Sequence, residues 1–201
     1  MDSLIKYNPF FSTETVININ FINKDVVSEI NLQQMFENKK IIKKFNSTIN
    51  LNYKNKKYFT NLIEDFSSNI SLTHGRLIFS NNSKIIGAEI SCSGDSNLTE
   101  VYPRLNFKCN FDLQDKKKLF KKLSVSKKIS NRDFSNLHVE GTLNLLKNKI
   151  SLKKLSTDKD FIANKEDLKF FEDKFDSLLF NEGVFNIFKL VKIKEFLLNI
   201  T

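Results

Sequence analysis

The sequence predicts a mainly β protein (α+β): a curved antiparallel β-sheet of consecutive hairpins, with short connecting helices and two C-terminal helices. Three observations predict it. Apolar and polar residues alternate over residues 69–113, with turn signals between the runs, as half-buried strands require. The same period of two recurs at 15–22, 47–54 and 136–145. From residue 164 onward the apolar residues fall instead at helical spacing. The expected division is a sheet region with inserted helices over 1–157 and a helical segment over 158–201 that packs on the sheet or closes its end.

The elements follow in order. In 15–22, Ile17, Ile19 and Phe21 share one face and Asn18 and Asn20 the other. Residues 25–45 read as helix, with Leu32, Met35 and Phe36 on one side. Alternation returns through Ile49, Leu51 and Tyr53, while 57–68 fits helix or strand. Ile70 and Leu72 lead into His74-Gly75, a turn signal, and then Leu77 and Phe79. Ser80-Asn81-Asn82-Ser83 reads as a second turn by composition. Ile86, Ala88, Ile90, Cys92 and Gly94 then take one face, with Glu89, Ser91 and Ser93 opposite. A polar loop over 95–100 follows. Next, Leu105, Phe107, Cys109, Phe111 and Leu113 alternate with Asn106, Lys108, Asn110 and Asp112. Strands this close in sequence pair most cheaply as antiparallel hairpins.

Asp115 is placed to begin a short basic helix over 115–123. Strand character resumes with Leu137, Val139, Gly141, Leu143 and Leu145, and residues 147–149 turn the chain into Ile150 and Leu152. Asn164 with Asp167 three residues on resembles a capping box. Leu168, Phe171, Phe175 and Leu178 then fall on one helix face; 181–183 break that helix, and 186–199 make another.

Composition narrows the function. The chain has 201 residues, 40% hydrophobic and 27% charged, which suits a folded domain or part of a longer repeat-built protein rather than disorder. Lys, Asn, Ile and Phe are heavily used, all residues with AT-rich codons, so much of the bias is genomic. That weakens the usual meaning of a net charge of +9, which would otherwise suggest nucleic acid. Lysine is spread along the chain, and arginine, the residue suited to bidentate phosphate and base contacts, occurs only at Arg76, Arg104 and Arg132. No specific nucleic-acid partner is expected. No apolar run reaches the ~18 residues that cross a bilayer, and the N-terminus has no signal-peptide core. The first residues already enter a strand pattern, which reads as a fragment or an internal start.

No catalytic or metal-binding pattern occurs, so no enzyme activity, cofactor or metal is expected. His74 and His138 are the only histidines and fall on different predicted strands. Metalloprotease, Cys-x-x-Cys, Walker and Rossmann spacings are missing. Cys92-Ser93-Gly94-Asp95-Ser96 lacks the frame of a nucleophile elbow. Glu64 and Asp65 are neighbours on a solvated stretch. The cysteines say more. If 86–94 and 105–113 pair around a loop centred near Glu100 and Val101, Cys92 faces Cys109 on the apolar side. They then form either a disulfide, given an oxidising compartment, or two small apolar thiols in a core. The basic stretch 116–128, with Leu119, Phe120 and Leu123 apolar, fits a solvated connecting helix better than a lipid-head-group binder.

Residues 69–113 resemble AsmA-like proteins of AT-rich alphaproteobacterial genomes, most closely in GRL at 75–77, CSGDSNL at 92–98 and YPRLNF at 102–107. The opening YNPFF at 7–11 and ANKEDLKFFEDKF at 163–175 are similar too. The resemblance covers most of the chain and includes no catalytic signature. It implies a C-terminal portion of a protein held in the inner membrane by an N-terminal helix that this sequence lacks, with its bulk in the periplasm. It also implies a role in outer-membrane biogenesis and in lipid transport between the membranes.

On that basis the expected function is lipid binding: a non-catalytic periplasmic module whose apolar groove takes phospholipid acyl chains. Alternation alone selects Ile86, Ile90, Leu105, Phe107, Phe111, Leu137, Val139 and Leu143 as lining. The competing reading is a structural or assembly module that binds other envelope proteins. A one-sided apolar sheet must be covered or occupied in either case.

Overall fold

The computed structural model describes residues 2–7, 11–19, 39–54, 63–122, 135–158 and 161–176. They form nine strands in one mixed sheet, laid side by side in chain order, with three short helices. The strands are β1 (Asp2–Lys6), β2 (Ser12–Ile19), β3 (Asn46–Lys54), β4 (Ile63–Thr73) and β5 (Arg76–Ile85), then β6 (Ala88–Asn97), β7 (Arg104–Asp112), β8 (Asn136–Asn144) and β9 (Lys149–Thr157). The helices are α1 (Lys39–Ile42), α2 (Lys116–Lys122) and α3 (Lys165–Asp176).

The mainly β class matches the sequence, but the sheet is not wholly antiparallel. β2 and β3 run parallel, in register from Ser12 opposite Asn46 to Ile19 opposite Tyr53. Parallel neighbours need a crossover, and residues 20–45 supply its length. All other neighbours are antiparallel. β4 and β5 join through His74 and Gly75, both at positive φ (50° and 87°), the backbone that matches the twist of flanking strands.

A second correction concerns 80–83. These residues are not a turn but the middle of β5. Ser80 and Asn82 lie on the polar face of the sheet, while Asn81 lies on the other and meets the Ser68 hydroxyl at 2.5 Å. A polar group that finds a partner across the ladder loses its preference for a turn. The actual reversal is at Ile86-Gly87, where Gly87 has φ 80°. The ambiguous segment resolves as β4 from Ile63 onward.

Register gives the two faces distinct chemistry. One row across the sheet reads Thr15, Ile49, Ile70, Phe79, Gly94, Phe107, Gly141, Leu152. The corresponding row on the other face reads Asn50, Asn69, Ser80, Ser93, Lys108, Glu140, Lys154. Each strand therefore turns its apolar set to one side, as a period of two demands.

The helices sit around the apolar side. At one end of the strands, α1 contributes Ile42 to a cluster with Leu72 and Leu98, backed by Phe45, Leu77 and Leu145. At the other end, Asp115 caps α2 by accepting from the Lys118 backbone N–H at 3.0 Å. Leu119 of α2 is buried. α3 packs along β9: Leu168, Phe171 and Phe175 meet Val139, Ile150, Leu152 and Leu155. Its start is a full capping box. Asn164 Oδ1 accepts from the Glu166 and Asp167 N–H groups, and Asp167 Oδ2 accepts from the Asn164 N–H. The expected helix over 186–199, the break at 181–183, and residues 25–38 and 123–128 of the other predicted helical stretches lie outside the described residues.

Candidate functional site

The candidate site is the apolar face of the sheet between the three helices. Its centre lies on β4 to β7, where Ile70, Phe79, Ile90 and Leu105 join neither the cluster that α1 completes nor the one under α3. Ile70, Phe79, Ile90, Leu105, Phe107 and Phe111 are each only half-buried there. A closed core of this size would bury such side chains nearly completely.

Two glycines shape this surface. A Cβ at Gly94 would run into the Asn106 carbonyl oxygen and, at 2.5 Å, into the Phe79 ring. A Cβ at Gly141 would meet the Phe107 ring at 2.8 Å. Each aromatic ring therefore sits against its neighbour's bare backbone, in space that a Cβ would take.

A narrower stripe crosses the face. Ser68, Asn81, Cys92, Cys109 and Val139 stand in one register row. Cys92 and Cys109 are directly opposite, 4.1 Å apart at Cα, and are joined by a disulfide. That spacing is the close pairing of antiparallel strands.

The residues selected from sequence as lining fall in several environments. Ile90, Leu105, Phe107 and Phe111 lie on the half-buried central face. Leu137 and Leu143, like Phe107 and Phe111, are partly buried against the cluster under α3. Val139 is 3% exposed within that cluster, so it has little surface left for a ligand. Ile86 is not on a strand at all: it is the first residue of the 86–87 turn and is buried. The alternation of β6 begins at Ala88, one step later than the sequence pattern from Ile86 suggests. Ile70 and Phe79 are additional members of the central face. Their alternation is visible in the sequence, but it gives no sign of which residues the two helix-backed clusters leave out.

The opposite face carries polar groups that pair among themselves. His138 Nε2–H donates to Glu140 Oε1 at 2.8 Å, and its Nδ1 lies 2.6 Å from Asn110 Oδ1. Lys108 Nζ is 3.4 Å from the same Glu140 oxygen. The hydrogen bond from His138, with further help from Lys108, holds the Glu140 carboxyl below its ordinary value against a smaller opposing effect of desolvation. Among the described residues, no three His, Cys, Asp or Glu side chains converge to hold a metal ion. No helix among them is long and apolar enough to cross a membrane.

No family model matches the chain, and neither a curated protein nor a solved structure matches it.

Proposed function

We propose that the chain is a non-catalytic, lipid-binding module whose apolar face holds phospholipid acyl chains. The observation that carries this reading is the half-buried row Ile70, Phe79, Phe107 with Ile90 and Phe111 beside it. These side chains offer contact area and no directional polar groups, which suits a flexible hydrocarbon chain. Each methylene brought onto them contributes about 0.8 kcal/mol. In this reading the consecutive hairpins curve into a trough, with the helices as its rims. The resemblance to AsmA-like proteins supports a periplasmic place, inner-membrane attachment through a further segment, and a part in outer-membrane biogenesis. The experiment is lipid extraction and mass spectrometry of protein purified from a cell envelope. Co-purifying phospholipid, lost in a Phe107→Asp variant that remains folded, is the expected result; lipid-free protein would refute the reading.

One observation favours a second reading, an assembly module that binds other envelope proteins. Among the described residues β1 stands at the edge of the sheet with no further strand beside it, exposed along its whole length. An unpaired edge can accept a strand from a partner. Crosslinking that captures a partner strand at β1, in a preparation free of lipid, would favour it.

A further inference from the structure

We infer that the end of the sheet built from α1, the 98–103 loop and the 145–148 turn docks on an anionic lipid bilayer. These three segments meet at one place. Lys39 Nζ donates to the Glu100 carbonyl oxygen at 2.8 Å. The Leu145 N–H donates to the Pro103 carbonyl oxygen at 3.2 Å. Ile42, Leu98 and Leu145 join one cluster beneath them. The end is therefore a fixed surface rather than three separate loops.

What it presents outward is unusual. Ile41 is 64% exposed, Val101 70%, Tyr102 64% and Leu146 43%. Tyr7, 76% exposed, leans edge-on against Phe11, which stacks on Phe45. Single exposed apolar residues need no explanation, but a cluster of them does. At the opposite end, among the described residues of the turns and of α2, Ile162 alone is comparably exposed. Beside the cluster lies an apolar hollow of about 560 Å³ between Phe11, Ile41 and Phe45, rimmed by Lys40, Lys43 and Lys44.

Charge is distributed in the same way. Lys40, Lys43, Lys44, Arg104 and Lys147 are exposed around the cluster. Glu100 is the one carboxylate in the three segments. At the other end Glu64, Asp65, Glu89, Asp112 and Asp115 are interleaved with the lysines, so no comparable excess develops. A basic ring around exposed aliphatic and aromatic side chains matches a bilayer surface layer by layer. The lysines meet phosphate, Tyr7 and Tyr102 sit at head-group depth, and Val101, Ile41 and Leu146 reach the first methylenes. An acidic protein or a nucleic acid would use the lysines but leave the apolar tips wet.

This docking stands on residues separate from the central apolar face, so vesicle binding and acyl-chain occupancy can fail independently. The test is flotation of the full chain with vesicles of phosphatidylcholine alone or with about one third phosphatidylglycerol. Three double variants accompany the parent: Lys43→Glu with Lys44→Glu, Val101→Asp with Tyr102→Asp, and Lys117→Glu with Lys118→Glu on α2. All substituted side chains are exposed, and circular dichroism checks that each variant folds. The expected result is binding to anionic vesicles only, weakened about tenfold or more in both tip variants and unchanged in the α2 variant. Four results would overturn the inference: no binding by the parent at low salt, equal binding to neutral vesicles, loss in the α2 variant, or loss confined to the Lys43/Lys44 variant. The last would mark a simple polyanion binder.

Discussion

Gly94 and Glu140 show how much single positions matter on opposite faces of one sheet. Gly94 leaves room for the Phe79 ring over the Asn106 carbonyl. Gly94→Ala must displace backbone or ring, and overpacking of this kind costs about 1–3 kcal/mol. Urea denaturation should show that loss, whereas Ser93→Ala on the exposed side should stay within about 0.5 kcal/mol. Glu140 is held below its ordinary value of 4.5 by His138 and then Lys108. A depressed carboxyl pKa stabilises the fold above the unfolded value, and that contribution is lost as pH falls through the folded one. The acid limb of stability below about pH 4.5 therefore carries a share from Glu140. His138→Ala should raise the Glu140 pKa, read by carboxyl NMR titration; an unmoved titration would show that His138 is not its main partner.

At the level of elements, α3 does two things at once. Its apolar face covers β8 and β9, and its acidic side closes the sheet. Glu172 Oε1 accepts from the Leu152 N–H at 2.6 Å and Asp176 Oδ1 from the Ile150 N–H at 2.9 Å. The Ala163 N–H further donates to the Leu155 carbonyl oxygen. The β9 edge is thus sealed against strand pairing. Replacing Glu172 and Asp176 together by Ala should speed amide exchange at Leu152 and Ile150 and promote association; unchanged exchange would mean the seal lies elsewhere. Asn164→Ala removes the cap of α3 and should cost about 0.5–2 kcal/mol in thermal or urea unfolding. The Cys92–Cys109 bond spans 17 residues. A cross-link of that size constrains the unfolded chain by about 3 kcal/mol, so reductant should lower the urea midpoint of this chain and leave a double alanine variant unaffected.

Much of the whole molecule was legible because strand alternation is local. β6 and β7, their register at residues 92 and 109, the Asp115 cap and the Asn164 capping box were all readable, since each needs only neighbours in sequence. What escaped depends on distant partners. Ser80 to Ser83 look like a turn until Ser68 is known to stand across from Asn81. Nothing local in 12–19 or 46–54 marks them as parallel neighbours. The alternation of Val139 is that of Phe79, and only the packing under α3 buries one and leaves the other outside that cluster. The same asymmetry shapes the function proposed here. Among the described residues, one sheet face is polar, with His138, Glu140, Lys108 and Asn110 paired on it; the other is apolar, clustered with helices at its margins and half-buried at its centre. Native mass spectrometry of the chain purified from a cell envelope tests that claim most directly. Bound phospholipid is the expected result, released when Phe107 or Phe111 is replaced by Asp in a protein that stays folded. A folded parent that carries no lipid, and takes up none from added phospholipid, would contradict it.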